Sequence, residues 1–479
     1  MRSSFDLVVI GAGPAGEKGA AQAAYLGKKV AIVEASSSPG GIAVNSAGIP
    51  TKALRESAIY LGGLGHRAQD LPVPGGSSLG SEQTSETSPS ALLTLLMARK
   101  TDVTNLTIQA VRRNLTRHRI ELIQGRAHLK PGQVVEVVLP DGGVRTINAR
   151  VLLLATGSRP VVPDWMLDDP GVLDSDSILD ISRLPASIVV VGGGAVGCEY
   201  ASIFATLGVN VTLLCRGDQL LPQYDSEISK VLAESFNAIG IRVIPGAAVT
   251  SLLRLSKGLE VGLEGKKAIN AELVLVAVGR KARIQGLGLE EVGVDLDSNG
   301  NVMVDNCFRT SVKGIFAAGD VIGPPGLAAT SMEQARVAMC YAFDHDFKQA
   351  VDPLCPKYVF SIPEVASVGQ SEVEAKAQSI EYEVGRASFG NNAKARISGF
   401  ADGLVKLVFH RSDKRLLGVH IVGEVASELI HLGQFVLHEG GTINRFIHTT
   451  FAVPTRSEAY KYAAYDGLMR LERRASHPR

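Results

Sequence analysis

The chain is poor in cysteine and in aromatic side chains, is almost balanced in charge, and has no long apolar run. Its five cysteines, Cys198, Cys215, Cys307, Cys340 and Cys355, stand no closer than 15 residues apart. That spacing leaves no CxxC or CxxxxC redox pair and no metal-ligand pairing, and suits scattered core thiols in a reducing compartment. Aromatics make up 5% of the residues. Lys and Arg number 49 against 48 Asp and Glu, a formal charge of +1. Neither nucleic acid nor an anionic membrane is therefore expected as a partner. The run ALLTLLM at 91–97 is well short of the roughly 20 residues a membrane span needs, and Arg99 and Lys100 follow it. A strand starts almost at once in MRSSFDLVVIGAGPAG, which leaves no room for a leader, so a cytoplasmic protein is expected.

Glycine, by contrast, is abundant, with 51 among 479 residues, as in α/β proteins with many tight strand-to-helix turns. A chain this long exceeds one core. FDLVVIGAGPAGEKGAAQAAYLGKKVAIVEAS reads as a buried strand (5–10), the turn Gly11-x-Gly13-x-x-Gly16, an alanine-rich helix and a second strand (29–33) ending in Glu34. Glycines there allow a tight turn and close approach of backbone to a pyrophosphate on the helix N-terminus. Glu34 lies 23 residues after Gly11, where a carboxylate can accept hydrogen bonds from ribose hydroxyls.

The unit recurs in ASIVVVGGGAVGCEYASIFATLGVNVTLLCRG, with Gly192, Gly194 and Gly197. Counting 23 residues from Gly192 reaches Cys215, with Arg216 beside it. A carboxylate in that slot would repel a 2′-phosphate, whereas arginine can pair with one. The first site is thus expected to select an unphosphorylated ribose and the second to accept NADP; a solvated surface arginine is the alternative for Arg216. VLLLATGS (151–158) reads as a strand into a Thr-Gly turn beneath a dinucleotide. GIFAAGDVIGPPGLAATSMEQARVA (314–338) holds Gly319 and Asp320 before a helix starting near Leu327. Asp320 can bond a polyol such as ribityl, or cap its own turn.

In their order, GAGPAG with Glu34, GIPTKALRES, ATGSRP, GGGAVGCEYAS and AAGDV resemble the pyridine nucleotide-disulfide oxidoreductases, such as dihydrolipoamide dehydrogenase and glutathione reductase. FSIPEVASVG, GVHIVGEVASELI and PTRSEAY resemble their dimer-interface domain. The resemblance implies an α/β fold of two Rossmann-like dinucleotide-binding domains plus a C-terminal α+β dimerisation domain, in a homodimer. The FAD-binding domain would be 1–157 with 283–350, the NAD(P)-binding domain 158–282 and the interface domain 351–479. The Ser/Gly-rich stretch 74–90 departs from the pattern and reads as a flexible surface insertion.

For FAD, the resemblance implies contacts from Gly11, Gly13, Pro14, Ala15 and Gly16, and from Glu34 and Ala35. It adds Gly40, Gly41, Ile42, Ala43 and Lys52, then Ala127, Ala155, Thr156 and Gly157. Gly319, Asp320, Leu327 and Ala328 close that set. For the nicotinamide nucleotide it implies Gly192, Gly194, Ala195, Val196, Gly197, Glu199, Cys215 and Arg216, with Gly279. Lys52 matches the family lysine close to flavin N5, and Glu199 its ion-pair partner; these two are the catalytic candidates. No metal constellation is present.

The family's two redox cysteines would stand at Ala43 and Gly48, and its catalytic histidine at Val453; only Glu458 of the His-Glu pair remains. A thiolate needs a proton acceptor, and valine cannot be one. Disulfide substrates and mercuric ion are therefore poor candidates. Transfer of hydride from nicotinamide to flavin needs none of those groups, only stacked rings, excluded water and a poised charge. Electrons would then stay on the flavin until a second nucleotide removes them, giving ping-pong exchange between NADPH and NAD. A quinone or diaphorase-type reductase could use the same residues, and a non-catalytic flavin scaffold is the third reading. His448, five residues before Val453, is expected to make a local hydrogen bond.

Overall fold

A computed structural model describes residues 3–69 and 89–476. Most of the Ser/Gly-rich stretch, 74–88, lies outside the described residues; 89 and 90 open the helix Pro89–Arg117. The chain forms two compact units. One comprises Met1–Ala53, Met97–Val161 and Gly279–Asp352, the other Leu54–Leu96, Val162–Val278 and Pro353–Arg479.

In the first unit the strand Ser3–Ile10 pairs in parallel with Val30–Glu34 and with Val144–Leu154. Alternate side chains of the apolar run fill both faces: Val8 and Ile10 enter one core cluster, Leu7 and Val9 the other. A strand covered on both sides needs such an unbroken apolar run. Val144–Leu154 is longer than the sequence suggested, because its ends have different partners. Residues 144–148 pair with Val134–Val138 in an antiparallel meander, while Leu152–Leu154 pair in parallel with Ile315–Ala317.

The second unit repeats the parallel arrangement in the order Arg242–Ile244, Asn210–Leu214, Ser187–Val191, Leu273–Val276, Val172–Asp174. Its C-terminal part is a five-stranded antiparallel sheet packed against the helices Ala426–His438 and Glu458–Ser476. Lys406 of that sheet, 1% exposed, binds both oxygens of Asp225 at 2.8 and 2.9 Å and Glu227 at 3.0 Å. Asp225 caps the helix Ser226–Ala238 of the nucleotide-binding part, so a buried charge cluster ties that helix to the C-terminal sheet. Among the described residues no helix is long and apolar enough to cross a membrane, and no His, Cys, Asp or Glu group is arranged to hold a metal ion.

Candidate active site

At the first turn Gly11 sits at φ +104°, and a Cβ there would lie 2.4 Å from the Ala155 carbonyl oxygen. A Cβ on Gly16 would meet the Gly11 oxygen at 1.8 Å. Only glycine lets strand, helix and crossing strand meet this closely. Gly13 precedes the helix Pro14–Tyr25 with no side chain capping it, so Pro14, Ala15 and Gly16 form an open first turn carrying the positive end of the helix dipole. Gly40 donates its N–H to the Ala12 oxygen at 2.8 Å, and a Cβ on Gly41 would strike the Gly13 Cα at 2.7 Å. The segment carrying Gly40 to Ala43 therefore leans directly on the glycine turn.

Glu34 is oriented by three donors, the Ala12 N–H at 2.7 Å and the Ser36 N–H and hydroxyl at 2.8 and 2.7 Å. A carboxylate has about four acceptor positions, so capacity remains for a ribose hydroxyl. Ala35 is exposed beside it, and Ala127 lies two residues past Gly125, whose N–H donates to the Glu34 carbonyl. Ala155 donates to the Ile10 carbonyl at 2.9 Å, and Gly157 has φ +73° with open space where a Cβ would be.

Asp320 caps no helix; its Oδ2 accepts from the Ser158 hydroxyl at 2.7 Å, and that hydroxyl accepts from Arg280 Nε at 2.9 Å. Gly319 is fixed by donation to Gln334 at 2.9 Å. The helix Ala328–Ala342 starts after Leu327 without a capping side chain. Gly279, at φ +128°, also has open space where a Cβ would be. Thr156 Oγ1 and Arg159 Nε, both buried, have no hydrogen-bond partner within the described protein. Glycine cradle, uncapped helix ends, aimed carboxylates and orphaned polar atoms together fit FAD.

The second turn repeats the first. A Cβ on Gly192 would lie 2.3 Å from the Ala277 oxygen, and one on Gly197 would lie 1.8 Å from the Gly192 oxygen. Gly194 precedes the helix Ala195–Thr206, whose first turn with Ala195 and Val196 has no capping side chain. Cys215 occupies the position of Glu34 but turns inward: a Cβ on Gly193 would come within 2.6 Å of its sulfur. Burial pushes the Cys215 thiol up to about 11 and Cys198 well above its usual range. The slot therefore has neither charge nor a polar arm at 215. Arg216 is exposed, with no ion-pair partner among the described residues.

Lys52 lies in the first turns of the helix Ile49–Gln69, half-buried, with its ammonium 3.2 Å from the Thr51 hydroxyl. Glu199 is 7% exposed and its Oε1 accepts from the Phe360 N–H at 2.9 Å. Between Ala43 and Gly48 the backbone has closed up: a Cβ on Gly48 would lie 2.2 Å from the Ala43 oxygen and 2.8 Å from its Cα. A cysteine at 48 would drive its Cβ into the Ala43 backbone, and a disulfide forms only in a narrow geometry. Ala43→Cys/Gly48→Cys should therefore fail to rebuild the pair: thiol titration of the unfolded, unreduced variant should count two more free thiols than wild type. A spontaneously formed bridge would contradict this packing.

Val453 is 73% exposed, and Glu458, opening the last helix, accepts from the Thr455 N–H at 3.5 Å. The local hydrogen bond expected of His448 is not found. Its ring is exposed at the end of the helix Asn444–His448 and bonds to none of the described residues, because the helix end points it into solvent. Sequence reading also missed Ser36, Gln334, Arg280 and Phe360, which orient the site. Ser158 stood inside ATGSRP, and Ser36, Gln334 and Phe360 inside other quoted stretches, so all four were within reach; Arg280 belongs to none of them.

Residues 5–339 match the model of the pyridine nucleotide-disulphide oxidoreductases, and residues 355–464 match that family's dimerisation domain. The chain belongs to this family. Its members bind FAD and NAD(P), and the chain is an oxidoreductase that pairs as a homodimer through its C-terminal domain. That domain exposes Leu432, Phe435, Tyr462, Tyr465 and Met469 on its two long helices.

Among relatives, the soluble pyridine nucleotide transhydrogenase of Mycobacterium bovis is 39% identical over 98% of both chains. That of Pseudomonas putida is 39% identical over 98% of this chain and 99% of its own. Among solved structures, the flavoprotein disulfide reductase RclA of Escherichia coli superposes with a TM-score of 0.86 at 25% identity, covering 97% of this chain and 99% of that one. LpdA of Mycobacterium tuberculosis gives 0.85 at 28% identity, with the same coverage.

Proposed function

We propose that this oxidoreductase exchanges hydride between NADPH and NAD at its FAD, with no disulfide relay. The observation that carries the reading is the closed Ala43–Gly48 backbone, with sulfur at neither position and valine where a catalytic base would stand. Bound FAD supplies a two-electron store that can accept hydride from one nicotinamide and return it to another. Glu34 orients the adenosine ribose, the uncapped first turn holds the pyrophosphate, and Asp320, steadied by Ser158, meets the ribityl chain. Lys52 holds positive charge where negative charge develops, and Glu199, the acid the family resemblance matches, serves the same hydride transfer. Arg216 receives the 2′-phosphate of NADPH. The name of the 39%-identical relatives supports this activity, and its word soluble accords with the cytoplasmic location expected from the sequence.

The test is steady-state exchange from NADPH to a spectrally distinct NAD analogue by the FAD-loaded dimer. Parallel double-reciprocal lines are expected, as one site serves both nucleotides in turn. Turnover only with an added quinone would replace this reading by a diaphorase.

A further inference from the structure

The segment Phe360–Glu364 enters the C-terminal sheet, yet its polar groups are bonded largely to two helices far away in sequence. The Phe360 N–H donates to Glu199 Oε1 at 2.9 Å. Two residues on, the Ile362 N–H donates to the Ser202 hydroxyl at 3.0 Å, and that hydroxyl donates back to the Glu199 carbonyl at 2.9 Å. Arg55 reaches the Ser361 carbonyl from Nε at 3.1 Å and Glu364 from Nη2 at 3.1 Å. Glu364 is held in turn by the Ser427 N–H and hydroxyl at 3.0 and 2.8 Å. Ser202 and Ser361 are 0% exposed, Arg55 4% and Glu364 5%.

Such a network is over-determined for a mere chain crossing. A buried carboxylate with several rotamers takes one orientation when a backbone N–H fixes one oxygen. The donor is only as fixed as its own segment, and Ser202 anchors that segment one turn along the helix that carries Glu199. We infer that Phe360–Glu364 is a positioning strap for Glu199, with Ser202 and Arg55 as positioning residues. The C-terminal domain thereby sets the orientation of the Glu199 side chain as well as pairing subunits. This rests on the role given above to Glu199.

The test is Ser202→Ala in the FAD-loaded dimer, alone and combined with Glu199→Gln. Removing the hydroxyl leaves the buried Ile362 N–H without a partner and frees the strap. Amide exchange in peptides covering 357–364 should accelerate about tenfold, and NADPH-driven flavin bleaching in stopped flow should slow about tenfold, the scale of a small misplacement. FAD content and NADPH affinity should stay within about twofold, and the loss should vanish in the Glu199→Gln background, since residues acting through one another are not additive. Should Ser202→Ala not fold, Ser202→Cys fills the space with a weak acceptor and should show the same pattern at smaller size. Undiminished bleaching in both Ser202 variants, with Glu199→Gln slow, overturns the strap alone. A loss that persists in the Glu199→Gln background overturns it too, by showing general loosening. Wild-type bleaching in Glu199→Gln removes the role of Glu199 itself, and the strap's purpose with it.

Discussion

Lys52→Met should slow bleaching of the flavin by NADPH about a hundredfold while the protein stays folded and yellow. Methionine keeps most of the length and the apolar stem of lysine and removes its ammonium. Deleting one preorganised charge or donor from a transition state costs on the order of 10²–10³ in rate. The ammonium lies half-buried beside Thr51, on a helix whose start is fixed by the Thr51 hydroxyl bonding the Ala47 and Gly48 carbonyls at 3.0 and 2.9 Å. Stopped-flow reduction with FAD content measured in parallel separates chemistry from cofactor loss. An unchanged rate would make Lys52 structural only.

Arg216→Ala should weaken NADPH while leaving NADH nearly unchanged. A lost charge-assisted phosphate contact costs on the order of 1.5–3 kcal/mol, or about ten- to 150-fold in affinity. The inward turn of Cys215 sharpens this expectation, since it removes the neighbouring side chain from the slot and leaves Arg216 as the exposed basic group there. Cys215→Glu should shift preference toward NADH. The equivalent Glu34 takes the N–H of Ala12, and Gly193 stands where Ala12 does. The measurement is the ratio of dissociation constants for NADPH and NADH in each variant. Equal weakening of both nucleotides would assign Arg216 to the fold, and an unmoved ratio in both variants would refute the specificity slot.

The two strand-turn-helix units were legible because each depends on short-range chemistry: an apolar run buried on both faces, glycines that admit no Cβ, and a helix start. The same reasoning singled out Glu34 and Asp320 but not what holds them, because the bonds from Ala12, Ser36, Ser158 and Arg280 depend on how the turns pack, which no spacing encodes. It also gave no direction to Cys215, since a residue just past a strand can face slot or core. Only its packing on Gly193 decides. The Lys406 cluster and the Phe360–Glu364 strap join residues some 160–180 positions apart, and no local pattern encodes such pairs. His448 shows the converse failure, because proximity in sequence suggested a bond that the helix end does not permit.

The most direct test of the central claim is an anaerobic titration of the FAD-loaded dimer with NADPH, followed by NAD. With no sulfur at 43 or 48, FAD is the only two-electron store the account allows. The flavin absorbance should therefore bleach with one equivalent of NADPH per subunit, show no long-wavelength thiolate-flavin band, and return when NAD is added. A requirement for two equivalents, or the appearance of that band, would contradict the account.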